Sequence, residues 1–232
     1  MSTGCLRGEG LPAPTVISID GPVAAGKTAV GRLLSRRLGY RLIDTGSMYR
    51  AVAWLALERR IDPSDEDALK RLAELTPVDI TQRDGREVVI IAGEDVSDRL
   101  RTPEVEQVVS LVARVPGVRK ALVEQQRRIA AGGRIVMVGR DIGTVVLPDA
   151  GLKLFLLASP GERARRRYLE LEQSGQQVNQ QKVLDDLLAR DKLDSERADS
   201  PLRPAEDALK LDTDDLSLER VVARILALIR ED

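Results

Sequence analysis

The chain has 232 residues, 31% of them charged, and a formal net charge of −1 at pH 7. This balance creates no overall field that would attract a nucleic acid polymer or a membrane surface, so we expect neither partner. The length and the 43% hydrophobic content suit one α/β domain with an insertion as well as two domains.

Two absences exclude whole classes of site. The chain has no histidine, which excludes Ser-His and Cys-His nucleophilic schemes and histidine metal sites. Its single cysteine, Cys5, supports neither a disulfide framework nor a thiolate zinc site. Residues 1–14 are rich in glycine and proline and lack the apolar segment of a signal peptide. We therefore expect a disordered tail at 1–14 and a cytoplasmic protein.

Hydrophobic patterning predicts strands that alternate with helices over much of the chain. The predicted strands are 15–20, 41–44, 78–80, 87–92, 134–138, 152–157 and 209–211. The predicted helices are 29–38, one carrying Met48, Ala51, Val52 and Leu55, and then 65–75, 103–115, 117–131 and 217–229. An Asp-Gly turn within 83–85 predicts a hairpin, and the polar stretch 173–181 predicts a mobile loop. The alternation favours a parallel sheet, on which the stretch 62–133 is an insertion.

The most informative motif is GPVAAGKT at residues 21–28, a full match to the G-x-x-x-x-G-K-[ST] phosphate loop. A predicted strand precedes it and a predicted helix follows it, which is the context that this motif requires. Glycine lets the backbone curl around an anion, and the N–H groups at the start of the helix bind phosphate. Lys27 is expected to reach the β- and γ-phosphates, and the Thr28 hydroxyl to bind Mg²⁺. The predicted triphosphate site comprises Gly21, Pro22, Val23, Ala24, Ala25, Gly26, Lys27, Thr28 and Ala29.

Arginine dominates the cations, with only seven lysines among 36, and it recurs in four further segments. These are 44–50, 139–144, 159–167 and 190–197, each with a carboxylate or hydroxyl residue beside the arginine. Taken singly, residues 163–167 could be a solvated helix face, and Arg140 with Asp141 an ordinary ion pair. Taken together, the four segments contain more arginines than one bound triphosphate needs. We therefore predict a second phosphorylated substrate at the carboxyl ends of the strands.

From about Val16 to the final helix, the chain resembles bacterial cytidylate kinase. The resemblance is carried by DGP…GKT at 20–28, DTGSMYR at 44–50, GRDIGTVVLP at 139–148 and RD…D…R at 190–197. It implies a P-loop nucleotide kinase fold, an α/β architecture in which helices flank a five-stranded parallel sheet. It also implies a core (15–61, 134–158, 205–232), a nucleotide-binding insertion with a small antiparallel sheet (62–133) and a short lid (159–200).

The same resemblance implies ATP as phosphate donor, Mg²⁺ as cofactor, CMP and dCMP as acceptors, and we expect a monomer. The roles that it implies are acceptor phosphate for Thr45, Arg50, Arg140 and Arg197, cytosine for Ser110, Arg119 and Asp141, and ribose for Arg190 and Asp194. Tyr49 is included with the substrate residues, although a core position is the alternative. Lys27, Arg140, Arg197 and three lid arginines, Arg163, Arg166 and Arg167, are expected to stabilise the transferred group. A carboxylate at Asp141 suits the N4 amino donor of cytosine.

The phosphate loop departs from the family at two positions. Val23 stands where serine is usual, and Ala24 where glycine is frequent. We expect altered nucleotide affinity and a backbone at Ala24 that avoids positive φ. Two alternative functions remain open at this point: a UMP/CMP kinase of broader specificity, and a non-catalytic ATP-binding switch that signals through the insertion.

Overall fold

The computed structural model describes residues 15–83, 86–173 and 175–229. The predicted tail at 1–14 and residues 84 and 85 of the predicted turn lie outside these ranges. The strands are β1 (Val16–Asp20), β2 (Arg41–Asp44), β3 (Val78–Arg83), β4 (Arg86–Ile91), β5 (Glu94–Asp95), β6 (Ile135–Val138), β7 (Leu152–Leu157) and β8 (Leu209–Asp212). The helices are α1 (Lys27–Leu38), α2 (Thr45–Glu58), α3 (Glu66–Leu75), α4 (Pro103–Val112), α5 (Pro116–Ala130), α6 (Pro160–Gln173), α7 (Gln180–Ser195) and α8 (Leu218–Leu226).

The central sheet has five strands in the order β2-β6-β1-β7-β8, and every pairing is parallel. Its inner strands are apolar and buried because helices cover both faces. The carboxyl ends of β1, β2 and β6 therefore open at one edge of the sheet, where the connections at 21–26, 44–46 and 139–141 begin. A second sheet is antiparallel, with the order β3-β4-β5. The predicted fold class, including the small antiparallel sheet, is confirmed.

Two apolar clusters lie on the two faces of the central sheet. On one face, α2 to α5 pack against Ile43, Ile135 and Met137. On the other face, α1 and α8 pack against strand residues such as Ile19 and Leu154. The insertion therefore shares one continuous core with the sheet.

Local signals explain where the helices begin. Asp44, Asp65, Thr102, Asn179 and Ser217 precede helices, and their side chains accept hydrogen bonds from backbone N–H groups of the first turn. The predicted helix 103–115 is three residues too long, since α4 ends at Val112 and proline begins α5 four residues later.

The lid region contains two helices, α6 and α7, that pack on each other through a small apolar cluster of Ala164, Val183 and Leu187. The predicted loop 173–181 corresponds to the connection between them, although its last two residues already belong to α7. Within the described ranges, no helix is both long enough and apolar enough to cross a membrane.

Candidate active site

The phosphate loop begins directly after β1 and curls tightly before α1. Gly21 has φ 146°, and a Cβ atom there would lie 2.3 Å from the carbonyl oxygen of Leu156, so only glycine fits. Gly26 precedes α1 with φ 86°, also in the left-handed region. The N–H groups at the start of α1 are thereby presented to the space above the sheet, as anion binding requires.

Ala24 contradicts the expectation that this position avoids positive φ, because its φ is 58°. That expectation is wrong. An L-residue in the left-handed region costs about 1–2 kcal/mol, since its Cβ approaches the carbonyl oxygen that follows. The neighbouring Val23 packs on the lid cluster, and its carbonyl accepts a hydrogen bond from Arg163 at 3.2 Å. These contacts hold the loop in a conformation that its own sequence disfavours.

The side chains of Lys27 and Thr28 both donate hydrogen bonds to nearby oxygens of the protein. Lys27 Nζ donates to the carbonyl of Pro22 at 2.5 Å. Burial, followed by the nearby Arg140, lowers the pKa of Lys27 well below its ordinary value. An anion beside this amine would offset both effects. Thr28 Oγ1 donates to Asp44 Oδ2 at 2.8 Å, while Asp44 Oδ1 caps α2 by accepting from Gly46 N at 3.0 Å.

A cleft of about 640 Å³ opens above the carboxyl ends of β1, β2 and β6. Ten residues predicted to bind substrate line it: Thr45, Tyr49, Arg50, Ser110, Arg119, Arg140, Asp141, Arg190, Asp194 and Arg197. In the described part of the chain, nine arginines line this cleft, namely Arg32, Arg50, Arg101, Arg119, Arg140, Arg166, Arg167, Arg190 and Arg197. Five carboxylates oppose them, those of Asp44, Glu106, Asp141, Glu170 and Asp194. The cleft is therefore strongly cationic, as a site for phosphates requires.

The phosphate loop lines the cleft only in part. Val23, Ala24, Gly26, Lys27, Thr28 and Ala29 line it. Gly21, Pro22 and Ala25 do not, although Ala25 lines a second cavity of about 370 Å³. That cavity adjoins the cleft at Gly26, Ala29 and Arg166, and the loop 213–216 and helix α8 supply its other side.

One end of the cleft contains a buried ion pair between Asp141 and Arg119. The guanidinium of Arg119 lies 5.6 Å from the centre of the Tyr49 ring, a cation–π contact. Burial raises the pKa of Tyr49 to about 12, so its hydroxyl stays protonated. Tyr49 is 8% exposed, so the core position and the cleft position both apply to it.

Asp141 lies beside Asp20, the last residue of β1. The Asp20 carboxylate accepts hydrogen bonds from Ile142 N at 2.8 Å and Gly143 N at 2.7 Å. Burial raises the pKa of Asp20 to about 6, although these two bonds oppose the rise. The segment that carries Asp141 is therefore anchored to the strand from which the phosphate loop leaves.

The centre of the cleft contains arginines paired to carboxylates. Asp194 Oδ2 accepts from Arg140 Nε at 2.9 Å, and its other oxygen lies 3.8 Å from Arg197 Nη2. Glu106 Oε1 accepts from Arg50 Nε at 2.7 Å, and its other oxygen accepts from Arg190 Nη1 at 3.2 Å. These pairs hold α7 against α2, α4 and the segment after β6.

The three lid arginines differ in their surroundings. Arg163 is 4% exposed, pairs with Asp191 at 2.7 Å and lies outside the lining of the cleft. Arg166 and Arg167 line the cleft. Arg166 donates to Thr213 Oγ1 and to the Thr213 carbonyl at 3.0 and 2.6 Å, and Arg167 pairs with Glu170 at 2.8 Å. Arg163 thus connects the phosphate loop to α7, while Arg166 and Arg167 face the cleft.

Sequence reasoning missed Glu106 as a site residue. No motif includes it, but it lies one helical turn before Ser110 on α4, so helical spacing places both on one face. Asp44, the first residue of the segment 44–50, caps α2. The second cavity was also missed, because its residues come from distant parts of the chain.

A family model described as cytidylate kinase matches residues 17–231 of this chain. The chain belongs to the cytidylate kinase family. The resemblance that the motifs carry is thereby confirmed, and so is the prediction that the chain is a nucleotide-binding phosphotransferase.

Relatives within the family match almost end to end. The cytidylate kinase of Pelotomaculum thermopropionicum is 52% identical over 212 residues, which cover 91% of this chain and 94% of the relative. The cytidylate kinase of Bacillus licheniformis is 47% identical over 214 residues, covering 92% and 95%. Among solved structures, shikimate kinase from Acinetobacter baumannii is 19% identical with a TM-score of 0.46, covering 94% of this chain and 92% of that one.

Proposed function

We propose that this enzyme transfers the γ-phosphate of ATP to CMP or dCMP, giving CDP or dCDP by direct in-line transfer. The observation that supports it most is the pair of adjoining cavities that share Gly26, Ala29 and Arg166. One nucleotide in each cavity would bring its phosphates to the same loop. Such a pairing suits a transferase better than a switch, which needs only one bound nucleotide.

The smaller cavity is suited to the base and sugar of the donor. Residues of α1, α6, α8 and the loop 213–216 line it, and they include the apolar Val30, Leu216 and Val221 beside charged side chains of α6 and of Asp214 and Asp215. A planar base fits between apolar walls, and a carboxylate can accept from its amino group. Phosphates extending from this cavity would pass Gly26 and reach Lys27.

The larger cleft is suited to a cytidine nucleotide. The Asp141 carboxylate at its end accepts hydrogen bonds and cannot donate them when ionised, which matches the N4 amino group of cytosine. Uracil presents an oxygen at that position, and an unpaired buried polar group costs about 1–3 kcal/mol. Arg50 and Arg140, which also line the cleft, would supply positive charge for the acceptor phosphate.

The residues fit Mg²⁺ at Thr28 and Asp44. Their oxygens lie 2.8 Å apart at the start of the cleft, next to the phosphate loop. Magnesium typically uses one or two protein oxygens with water and substrate phosphates, so a larger carboxylate cluster is not needed. The described residues contain no such cluster of three or more acidic, cysteine or histidine ligands. Bound Mg²⁺ would neutralise phosphate charge and orient the donor.

The chain's own residues would position both phosphates and stabilise the charge that develops between them. Lys27 and the loop N–H groups hold the donor, while Arg50, Arg140 and Arg197 hold the acceptor. Arg166 and Arg167 cover the transferred group from the lid, and Arg163 supports them through Val23 and Asp191. No general base is required, because the second pKa of a phosphate monoester is about 6 and the acceptor is largely ionised near neutrality. In this scheme the core, the insertion (62–133) and the lid (159–200) each supply residues to the cleft.

A coupled assay of ADP release tests the proposal. ATP and Mg²⁺ are supplied with CMP, dCMP, UMP, AMP or GMP at equal concentration, and GTP replaces ATP in a parallel series. We expect turnover with CMP and dCMP well above that with the other acceptors. Comparable turnover with UMP would favour the broader UMP/CMP kinase. ATP binding without turnover of any acceptor, combined with no calorimetric binding of CMP alone, would support the switch.

A further inference from the structure

The acceptor end of the cleft contains two arginines that are held in the same way. Arg140 donates through Nε to Asp194, at 2.9 Å, and Arg50 donates through Nε to Glu106, at 2.7 Å. Each carboxylate also pairs with an arginine of the lid segment, Arg197 for Asp194 and Arg190 for Glu106. Two ion pairs of the same chemistry thus line one cleft.

The Nε contact leaves the two terminal nitrogens of Arg50 for other partners. Neither nitrogen makes a hydrogen bond to any residue in the ranges that the structure describes. One of them, Nη1, would lie 3.0 Å from a Cβ placed on Gly46, so it stands against the start of α2. That position is beside Thr45, which also lines the cleft. The fork of the guanidinium is therefore directed to the place where α2 begins, and two parallel donors suit a phosphate.

The Glu106 carboxylate is well suited to hold this arrangement. Burial alone would raise its pKa, but Arg50 and Arg190 outweigh burial and hold the pKa at about 2. The side chain is 21% exposed and those of Arg50 and Arg190 are 15% and 24% exposed, so the pairs are only partly screened by water. Glu106 belongs to α4 in the insertion, Arg50 to α2, and Arg190 to α7 in the lid region. One carboxylate thus joins three parts of the chain around the cleft.

We propose that Glu106 is a positioning residue for the acceptor phosphate. It orients Arg50 through Nε so that the terminal nitrogens face the phosphate, and through Arg190 it brings α7 against the same site. This inference rests on the proposed function, in which the cleft accepts a nucleoside monophosphate. Glu106 itself does not touch the transferred group, since an ionised carboxylate would repel it.

The test compares Glu106→Gln with a matched control, Glu104→Gln. Glu104 lies on the same helix two residues earlier, is exposed and does not line the cleft, so both variants lose one carboxylate from α4. We expect E106Q to raise KM for CMP about tenfold, as loss of a charge-assisted hydrogen bond that orients a ligand-binding group does. KM for ATP of E106Q should match that of E104Q, and E104Q should match the wild type in KM for CMP. The Tm of E106Q should fall somewhat below that of E104Q, because Arg50 and Arg190 lose their counter-charge.

A double-mutant cycle shows whether Glu106 acts through Arg50. In an Arg50→Met background, which already lacks that guanidinium, adding E106Q should change KM for CMP by clearly less than tenfold, because only the contact with Arg190 is left to lose. An undiminished tenfold effect in that background would overturn the proposal. So would a lower KM for CMP in E106Q, which would mean that Glu106 competes with the acceptor phosphate.

Other outcomes separate the two levels of inference. If wild-type protein releases no ADP with CMP, the proposed function fails, whatever E106Q does. If the wild type is active and E106Q equals it, the assignment of Glu106 fails and the proposed function stands. If E106Q loses Tm and raises KM for ATP and CMP alike, Glu106 is a general stabilising residue and the proposal also fails.

Discussion

Asp141 and Arg119 form an ion pair in which the two side chains are 7% and 2% exposed, at the end of a cleft whose lining arginines outnumber its carboxylates. The pair lies at the position where the family resemblance places cytosine recognition. A carboxylate there serves two purposes, because it neutralises Arg119 and keeps an acceptor at the end of the cleft.

Asp141→Asn should therefore change both selectivity and stability. The amide keeps the shape but adds an N–H₂ group, so we expect the ratio of kcat/KM for CMP to that for UMP to fall about tenfold or more. The free energy of unfolding should fall by about 3 kcal/mol, because Arg119 is left buried without its counter-charge. The coupled assay and urea unfolding measure the two effects. A variant that loses ATP binding to the same extent as cytosine preference would make Asp141 a purely structural residue.

Ala24→Gly should stabilise the protein by about 1 kcal/mol, since glycine adopts positive φ without the Cβ clash and its greater chain entropy offsets only part of the gain. The matched control is Ala25→Gly at the next position, which is buried and lacks positive φ. We expect that control to lose stability. Urea unfolding measures the free energy of unfolding of both variants. A lower free energy of unfolding in A24G would show that packing of the Ala24 methyl group outweighs the backbone strain.

The Glu87 carboxylate should make stability depend on pH. It accepts from Asp44 N at 2.7 Å and Ser47 Oγ at 2.8 Å, and burial together with the neighbouring Asp44 raises its pKa to about 7. The ordinary value is 4.5, so between about pH 4.5 and 7 the folded state binds the proton more tightly than the unfolded state. Stability from this group is therefore present at low pH and is lost as pH rises, by at most about 3 kcal/mol.

The measurement for Glu87 is urea unfolding of the wild type and Glu87→Gln at pH 5 and pH 8. Asp20, whose pKa is also raised, contributes with the same sign to both proteins, so the difference between them reports Glu87 alone. The wild type should lose more stability than E87Q between the two pH values. Equal losses would mean that Glu87 is ionised at pH 5 in the folded protein.

The lid arginines should separate into two classes. Arg167→Met should lower kcat for CMP phosphorylation about a thousandfold with little change in Tm, as for an arginine that stabilises the transferred group. Arg163→Met should lower the free energy of unfolding by about 3 kcal/mol, because Asp191 loses a buried partner. Kinetics and thermal unfolding of both variants check this. A large loss of Tm in R167M would contradict the division.

Much of this architecture could be predicted from sequence because the signals are local. The strands at 41–44 and 152–157 were predicted with their observed bounds, since each is a short apolar run between polar turns. The phosphate loop motif fixes its own neighbours, strand before and helix after. The residues that follow the strands could also be placed from the sequence, because a parallel sheet brings the carboxyl ends of its strands to one edge.

What the sequence did not reveal depends on long-range contacts. Glu106 meets Arg50 and Arg190 across 56 and 84 residues of chain, and no motif marks it. The positive φ of Ala24 was predicted wrongly, because side-chain identity argued against it and contacts from the lid override that preference. Arg163 was grouped with its neighbours by sequence, yet helical geometry turns it toward the protein interior.

The two hydrogen bonds that the Asp20 carboxylate accepts connect the end of β1 to the segment that carries Asp141. This carboxylate belongs to the last residue before the phosphate loop and is bonded to the two residues after Asp141. The start of the phosphate loop and the residues that follow Asp141 are thus held by the same side chain. The two hydrogen bonds therefore fix how far the start of the phosphate loop lies from the segment that carries Asp141.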